Sequence, residues 1–191
     1  MEQGFNDLLE ALSGFAELSS EARKAIEQLV TYEQQPKNTL LLEQGKVCRQ
    51  LYFLQEGFVR GYYFLDGKDV TTWFAFKGDI FTSMYSFLSG QPSLESIEIL
   101  EESRILEIDS PDLQHLYNCF PEFNQVGRLL MEKYYLELEE RAISLQHMGA
   151  GERYQALLLK HPTLLQKATL GQIASFLGMS QETLSRIRAK Y

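Results

Sequence analysis

The chain is poor in the residues that build metal centres and in those that cross membranes. It has two cysteines, Cys48 and Cys119, in 191 residues and no Cys-x-x-Cys spacing. That excludes a zinc knuckle or an iron–sulfur cluster held by paired thiolates. Its three histidines are His115, His147 and His161, and none falls between Asn38 and Ile108. No stretch approaches the roughly 20 apolar residues of a membrane span. The opening Met1-Glu2-Gln3-Gly4-Phe5 has neither a basic segment nor an apolar run, so it does not read as a secretory leader. These absences point to a cytoplasmic protein with reduced thiols and no metal or cofactor.

Positive charge is scarce too, but unevenly so. The net charge is −8. Residues 149–191 nevertheless hold Arg153, Lys160, Lys167, Arg186, Arg188 and Lys190 against only Glu152 and Glu182, a local +4 that leaves −12 on the rest. A basic tail on an acidic body is the asymmetry expected when one end of a chain meets phosphate. The length suits one sizeable domain plus a small module, at roughly 100–200 residues per domain.

What is present falls into three textures. The first 35 residues read as helical, with Leu8, Leu9 and Leu12 on one face. A second helix is capped by Ser19 or Ser20 and stopped by Pro36. From Asn38 to Ile108, short apolar runs are punctuated by Gly45, Gly57, Gly67, Gly78 and Gly90, at spacings of 12, 10, 11 and 12. Turn signals at that interval suggest an antiparallel sandwich or barrel. Asp66-Gly67, between Tyr62-Tyr63-Phe64 and Val70-Thr71-Thr72-Trp73, reads as a two-residue hairpin turn. Beyond Pro121, Phe123, Val126, Leu130, Tyr134, Leu138, Ala142, Leu145 and Met148 recur at helical spacing and predict one helix of about 40 Å. A second apolar set (Leu129, Met131, Tyr135, Leu136) lies off that stripe. One face is expected to cover the chain's own core and the other to meet a partner; a helix simply buried on both sides is the alternative. Gly149-Ala150-Gly151 breaks this helix as a candidate hinge.

The most informative segment is Thr169 to Lys190. Thr169 with Gln172 makes a capping box, and Ile173, Ala174 and Leu177 face inward. Gly178 stands where a turn needs a left-handed residue, Met179 plugs the corner, and Ser180 caps a second helix buried through Leu184 and Ile187. Cap, small residue, turn glycine, plug and second cap in one short run predict a helix-turn-helix that binds double-stranded DNA. On the outer face, Arg186 can bridge guanine acceptors, Glu182 can accept from cytosine, and Gln181 can pair with adenine. Thr169, Ser180, Thr183, Ser185, Arg188 and Lys190 complete the expected DNA-binding set, with Ser180, Thr183, Arg188 and Lys190 suited to phosphate.

With these residues in view, the chain resembles the Crp/Fnr family of bacterial transcription regulators over nearly its whole length. The stretch Ile173 to Arg188 carries the closest resemblance, its Ser180, Glu182, Thr183 and Arg186 matching the family's Ser-x-Glu-Thr-x-x-Arg recognition helix. The resemblance implies an α+β fold. Residues 1–120 would form an antiparallel β-roll, a jelly roll of the cyclic nucleotide-binding type, with N-terminal helices. Residues 121–148 would form a long dimerisation helix, and 149–191 a helix-turn-helix domain. It also implies a homodimer on a near-palindromic site. The residue after the second cap is often arginine in the family; here it is Gln181, which puts the usual half-site in doubt. The sequence stops at Tyr191, without the winged hairpin of many members; it resembles a wingless subgroup, truncation being the alternative.

The sensor departs from the family's cyclic-nucleotide members. Gly78-Asp79-Ile80-Phe81 matches the opening of their phosphate-binding cassette, but Thr82-Ser83 replaces Gly-Glu. The Arg-Ser place reads Ser93-Leu94-Glu95-Ser96, with no arginine between Arg60 and Arg104. A buried phosphate without a cation is costly, so no tight cyclic-nucleotide binding is expected. The candidate effector pocket is Phe81, Thr82, Ser83, Met84, Tyr85, Phe87, Ser93, Glu95 and Ser96. It would hold a less anionic, unidentified ligand, or it is collapsed into core, the reading aromatic side chains favour. The iron–sulfur branch needs a cluster of N-terminal cysteines, and none precedes Cys48; the haem branch needs an axial His or Cys, and all three histidines lie outside the roll. A cupin-like metalloenzyme lacks its histidines, so a non-enzyme is expected. The remaining rival is a ligand-binding or adaptor protein without DNA binding. Contacts with RNA polymerase, the target genes and the sign of regulation have no readable signature in the sequence.

Overall fold

A computed structural model describes residues 2–190, and Glu2 only through its backbone. The reading of the chain end at Tyr191 lies outside the described residues. Helix α1 (Glu2–Ser13) and helix α2 (Ser20–Leu29) come first. Ser19 caps α2 by accepting from the Ala22 amide at 3.2 Å, with Glu21 in the first turn. The helical reading of the first 35 residues needs correction here. Helix α2 ends at Leu29, and Thr31–Gln35 form strand β1, paired antiparallel with residues 103–107. Pro36 therefore follows a strand and does not stop the helix.

The sheet contains β2 (Leu40–Leu42), β3 (Gln50–Leu65), β4 (Lys68–Ala75), β5 (Ile80–Phe81) and β6 (Ser96–Asp109). Its order is β1-β6-β3-β4, with β2 on β6 and β5 on β3, every pair antiparallel. Apolar runs that look separate in the sequence join: Leu51–Leu54 with Val59–Leu65 in β3, and Ile97–Leu100 with Arg104–Ile108 in β6. Gly57 lies within β3 instead of in a turn, and there the Ser103 side chain occupies the space a Cβ would need. The hairpin at Asp66-Gly67 forms as expected, with φ of 51° and 74° and Leu65 paired to Lys68.

Helix α3 (Met84–Ser89) bridges β5 and β6; α4 (Ser110–Cys119) and α5 (Pro121–His147) follow. Then come α6 (Ala150–Lys160), α7 (Leu164–Lys167), α8 (Leu170–Phe176) and α9 (Gln181–Arg188). Between α5 and α6 only Met148 and Gly149 leave the helix. Gly151 lies inside α6, and Gly149 caps it at φ −66°, so neither glycine uses left-handed backbone.

The period of two along a strand decides which layer each side chain enters. On β3 and β6, Tyr52, Leu54, Val59, Ile97, Ile99 and Ile105 point into the roll. Their neighbours Phe53, Leu106 and Ile108 pack under α1, α2, α4 and the start of α5. Phe58 and Leu100 instead join Tyr154, Leu157, Leu164, Ile173 and Leu184 of the C-terminal helices. The two long strands thus have no solvent face over most of their length, which is why they read as near-continuous apolar runs.

Phe58 is fully buried, stacked on Phe74 at 5.3 Å and tilted against Phe76 at 5.2 Å. Truncation to alanine removes its ring from between sheet and helices, and Phe58→Ala is expected to cost about 3–5 kcal/mol in urea unfolding. A loss below about 1 kcal/mol would show that the C-terminal helices do not rest on this ring.

Candidate nucleic-acid interface

Helix α8 begins at Thr169, whose hydroxyl accepts from the Gln172 amide (3.3 Å) while Gln172 Oε1 accepts from the Thr169 amide (2.9 Å). Ile173, Ala174 and Leu177 are buried. Gly178 turns the chain at φ +65°, a left-handed conformation that favours glycine, with the end of the Leu145 side chain of α5 close beside it. The Met179 amide closes the turn by donating to the Ala174 carbonyl at 3.0 Å. Ser180 caps α9 by accepting from the Thr183 amide at 3.2 Å, and Leu184 is completely buried.

The outer face of α9 is open. Gln181, Glu182, Ser185, Arg186, Arg188 and Lys190 are exposed, as are the caps Thr169 and Ser180. Thr183 is half-buried; its hydroxyl meets Ser180 Oγ at 3.2 Å and accepts from Arg186 at 3.4 Å. Backbone and Ser180 hydrogen bonds, then the positive charge of Arg186, hold the Glu182 carboxyl below its ordinary range. It therefore stays an acceptor at neutral pH. Two of the six cations of the basic tail do other work. Arg153 donates to the Leu177 carbonyl (2.9 Å) and the Met148 carbonyl (2.6 Å), and Lys167 pairs with Glu101 of the sheet.

The helix-turn-helix is seated on the free edge of the sheet. The Thr71 amide of β4 donates to Ser175 Oγ of α8 at 3.1 Å. Phe176 packs against Phe74 at 5.2 Å, and the Arg141 guanidinium of α5 lies over its ring at 4.2 Å from the centroid. His161, at the end of α6, stacks on Phe76 at 4.3 Å and 6°. Sequence reasoning missed this joint. Phe74 and Phe76 alternate on one face of β4, but nothing in that alternation names the helix they meet.

The candidate effector pocket is closed. Phe81 stacks on Tyr52 at 5.2 Å and meets Trp73 at 5.8 Å inside the roll. The indole lies flat on Gly61, where a Cβ would come within 2.2 Å of it. Thr82, Ser83, Ser93 and Ser96 are buried and spend their hydroxyls locally: Thr82 on the Gln50 carbonyl, Ser83 and Ser93 on each other, Ser96 on the Gln44 amide. Glu95 accepts from Thr72 (2.8 Å) and from the Trp73 indole (3.0 Å), and burial raises its carboxyl against those bonds. Met84 is half-buried, Tyr85 points outward, and Phe87 packs with the N-terminal helices, so these three do not line a common cavity. Arg60, the last arginine before this segment, is buried and already paired with Asp69 and Glu98, both at 2.7 Å. An apolar cavity of about 60 Å³ lies elsewhere, beneath α1, α2 and α5. Among the described residues, no three histidine, cysteine or acidic side chains converge as a metal site would require. No helix among them is long and apolar enough to cross a membrane.

Comparison with known proteins adds an independent line. Residues 32–118 match the family model of the cyclic nucleotide-binding domain. The chain is 25% identical over 167 residues to the fumarate and nitrate reduction regulatory protein of Vibrio cholerae, covering 81% of this chain and 66% of that protein. The fold resembles FixK2 of Bradyrhizobium japonicum (TM-score 0.71, 22% identity, 85% of this chain and 84% of that one). It also resembles the catabolite activator protein of Thermus thermophilus (TM-score 0.59, 24% identity, 94% and 85%).

The filled roll leads to a direct expectation. Cyclic AMP or cyclic GMP at 1 mM should leave the melting temperature unchanged. A ligand present at 100 times its Kd stabilises by about 2.7 kcal/mol, so a shift of that size would mean binding near 10 µM and an opened roll.

Proposed function

We propose that this chain is a transcription regulator of the Crp/Fnr type that binds double-stranded DNA as a homodimer through α9. The observation that carries the reading is the α8–α9 corner. Two side-chain caps, a turn glycine and a buried Leu184 fix a short helix whose exposed face holds acceptors, donors and cations together. Such a helix enters the major groove with its N-terminal residues on base edges. Arg186 addresses guanine, Glu182 cytosine and Gln181 adenine, while Ser180, Arg188 and Lys190 hold phosphates. The chain is organised as a sensor over residues 1–120, a dimerisation helix over 121–148 and a DNA-binding module over 149–191.

Dimerisation follows from α5. Its first turns are buried through Phe123 and Val126, but every residue from 131 to 140 is exposed, including Tyr134, Tyr135, Leu136 and Leu138. A helix gains most of its stability from packing an apolar face, and a second α5 supplies that face. Two copies present two recognition helices to a site of two-fold symmetry. The signal that reaches the roll is not a cyclic nucleotide, because the cassette lacks its cation and its interior is full.

Selection from random DNA tests the reading. Enrichment of a two-fold motif is expected, and its absence would favour an adaptor without DNA binding. Within an enriched site, Arg186→Ala should cost about 1–3 kcal/mol and relax one base position per half-site. Leu138→Asp should shift the sedimenting species from dimer to monomer, since a carboxylate cannot be buried unpaired between two helices. A dimer that survives this change would move the interface off α5.

A further inference from the structure

We propose that the sensor domain itself touches DNA: Lys68, at the tip of the β3–β4 hairpin, meets a backbone phosphate beside the bases that α9 reads. The inference rests on the DNA-binding reading above and extends it to a residue outside the helix-turn-helix.

The placement follows from the joint between β4 and α8. Ser175 accepts from the Thr71 amide at 3.1 Å, and Phe176 packs on Phe74 at 5.2 Å, so β4 runs alongside the helix that precedes α9. Lys68 is the first residue of β4, three positions before Thr71. That is about 10 Å of extended strand, toward the hairpin tip. Its side chain is exposed. Its positive charge reaches Glu182, the second residue of α9, and joins Arg186 in favouring the ionised carboxylate. A cation at the end of the strand that seats the helix-turn-helix lies where the rim of a major groove about 12 Å wide, with its phosphates, would pass.

Among the described residues, Glu182 makes no ion pair with Lys68, and the acidic neighbours on the hairpin itself leave it available. Asp69, its neighbour on β4, gives both carboxylate oxygens to Arg60 at 2.7 Å. Asp66 is held in the hairpin turn at φ 51°, and among the described ion pairs none engages Lys68. By contrast, Lys167 and Arg153 in the basic tail are committed to Glu101 and to main-chain carbonyls. Lys68 thus adds a cation to the outward set of Arg186, Arg188 and Lys190, and its site exists only while the helix-turn-helix stays seated on β4.

The test is a salt titration of full-length protein on its selected duplex and on a scrambled one, comparing the wild-type chain with Lys68→Ala and Lys68→Arg. Each phosphate contact contributes about 0.9 to the slope of log K against log salt. Lys68→Ala should flatten the slope by about that amount and weaken both duplexes by about fivefold at 0.15 M salt, as loss of one such contact implies. Lys68→Arg should keep the slope. A steep wild-type slope left unchanged by Lys68→Ala would overturn the contact alone. A wild-type slope near zero would overturn the DNA-binding reading and the contact with it.

Discussion

Burial of β3 and β6 on both faces is the constraint on which the rest of the molecule depends. One face of each strand closes the roll, through Leu54, Val59, Ile97 and Ile105. The other face would be bare without helices. The N-terminal helices and the start of α5 cover Phe53 and Leu106, and the C-terminal helices cover Phe58 and Leu100. The N-terminal and C-terminal segments are therefore not appendages to a finished roll. They supply the second layer without which the strands would expose a broad apolar surface.

The same constraint explains why the helix-turn-helix has a definite seat. Edge strand β4 carries free backbone amides, and an uncovered edge is a liability. Ser175 takes up one of those amides, and Phe176 fills the space between Phe74 and Arg141. Helix α9 is left with its polar face outward, because its inward contacts are exhausted by Leu184 and Ile187. Orientation of α9 is thus a consequence of packing on the sheet as much as of its own caps.

Inside the roll, packing and electrostatics agree. Trp73 over Gly61 and Phe81 on Tyr52 occupy the volume, and Glu95 sits among the donors of Thr72 and Trp73. An anionic ligand would meet the Glu95 carboxylate there. Arg60 cannot compensate without abandoning Asp69 and Glu98, and breaking a buried pair by removing one partner costs about 3–5 kcal/mol.

Local signals read correctly where physics is local. The caps at Thr169 and Ser180, the left-handed Gly178, the Asp66-Gly67 turn and the long α5 each depend on residues a few positions apart, so the sequence by itself determined them. The seat of α8 on β4, the joining of separate apolar runs into β3 and β6, and the filling of the roll by Trp73 depend on residues far apart in the chain. Thr31–Gln35 shows the boundary between the two cases. Its polar Glu-Gln-Gln end looks like the last turn of a helix, and it becomes a strand because residues 103–107 offer an open backbone edge. Long-range hydrogen bonding overrides local preference there, and a linear pattern has no term for a partner about 70 residues away.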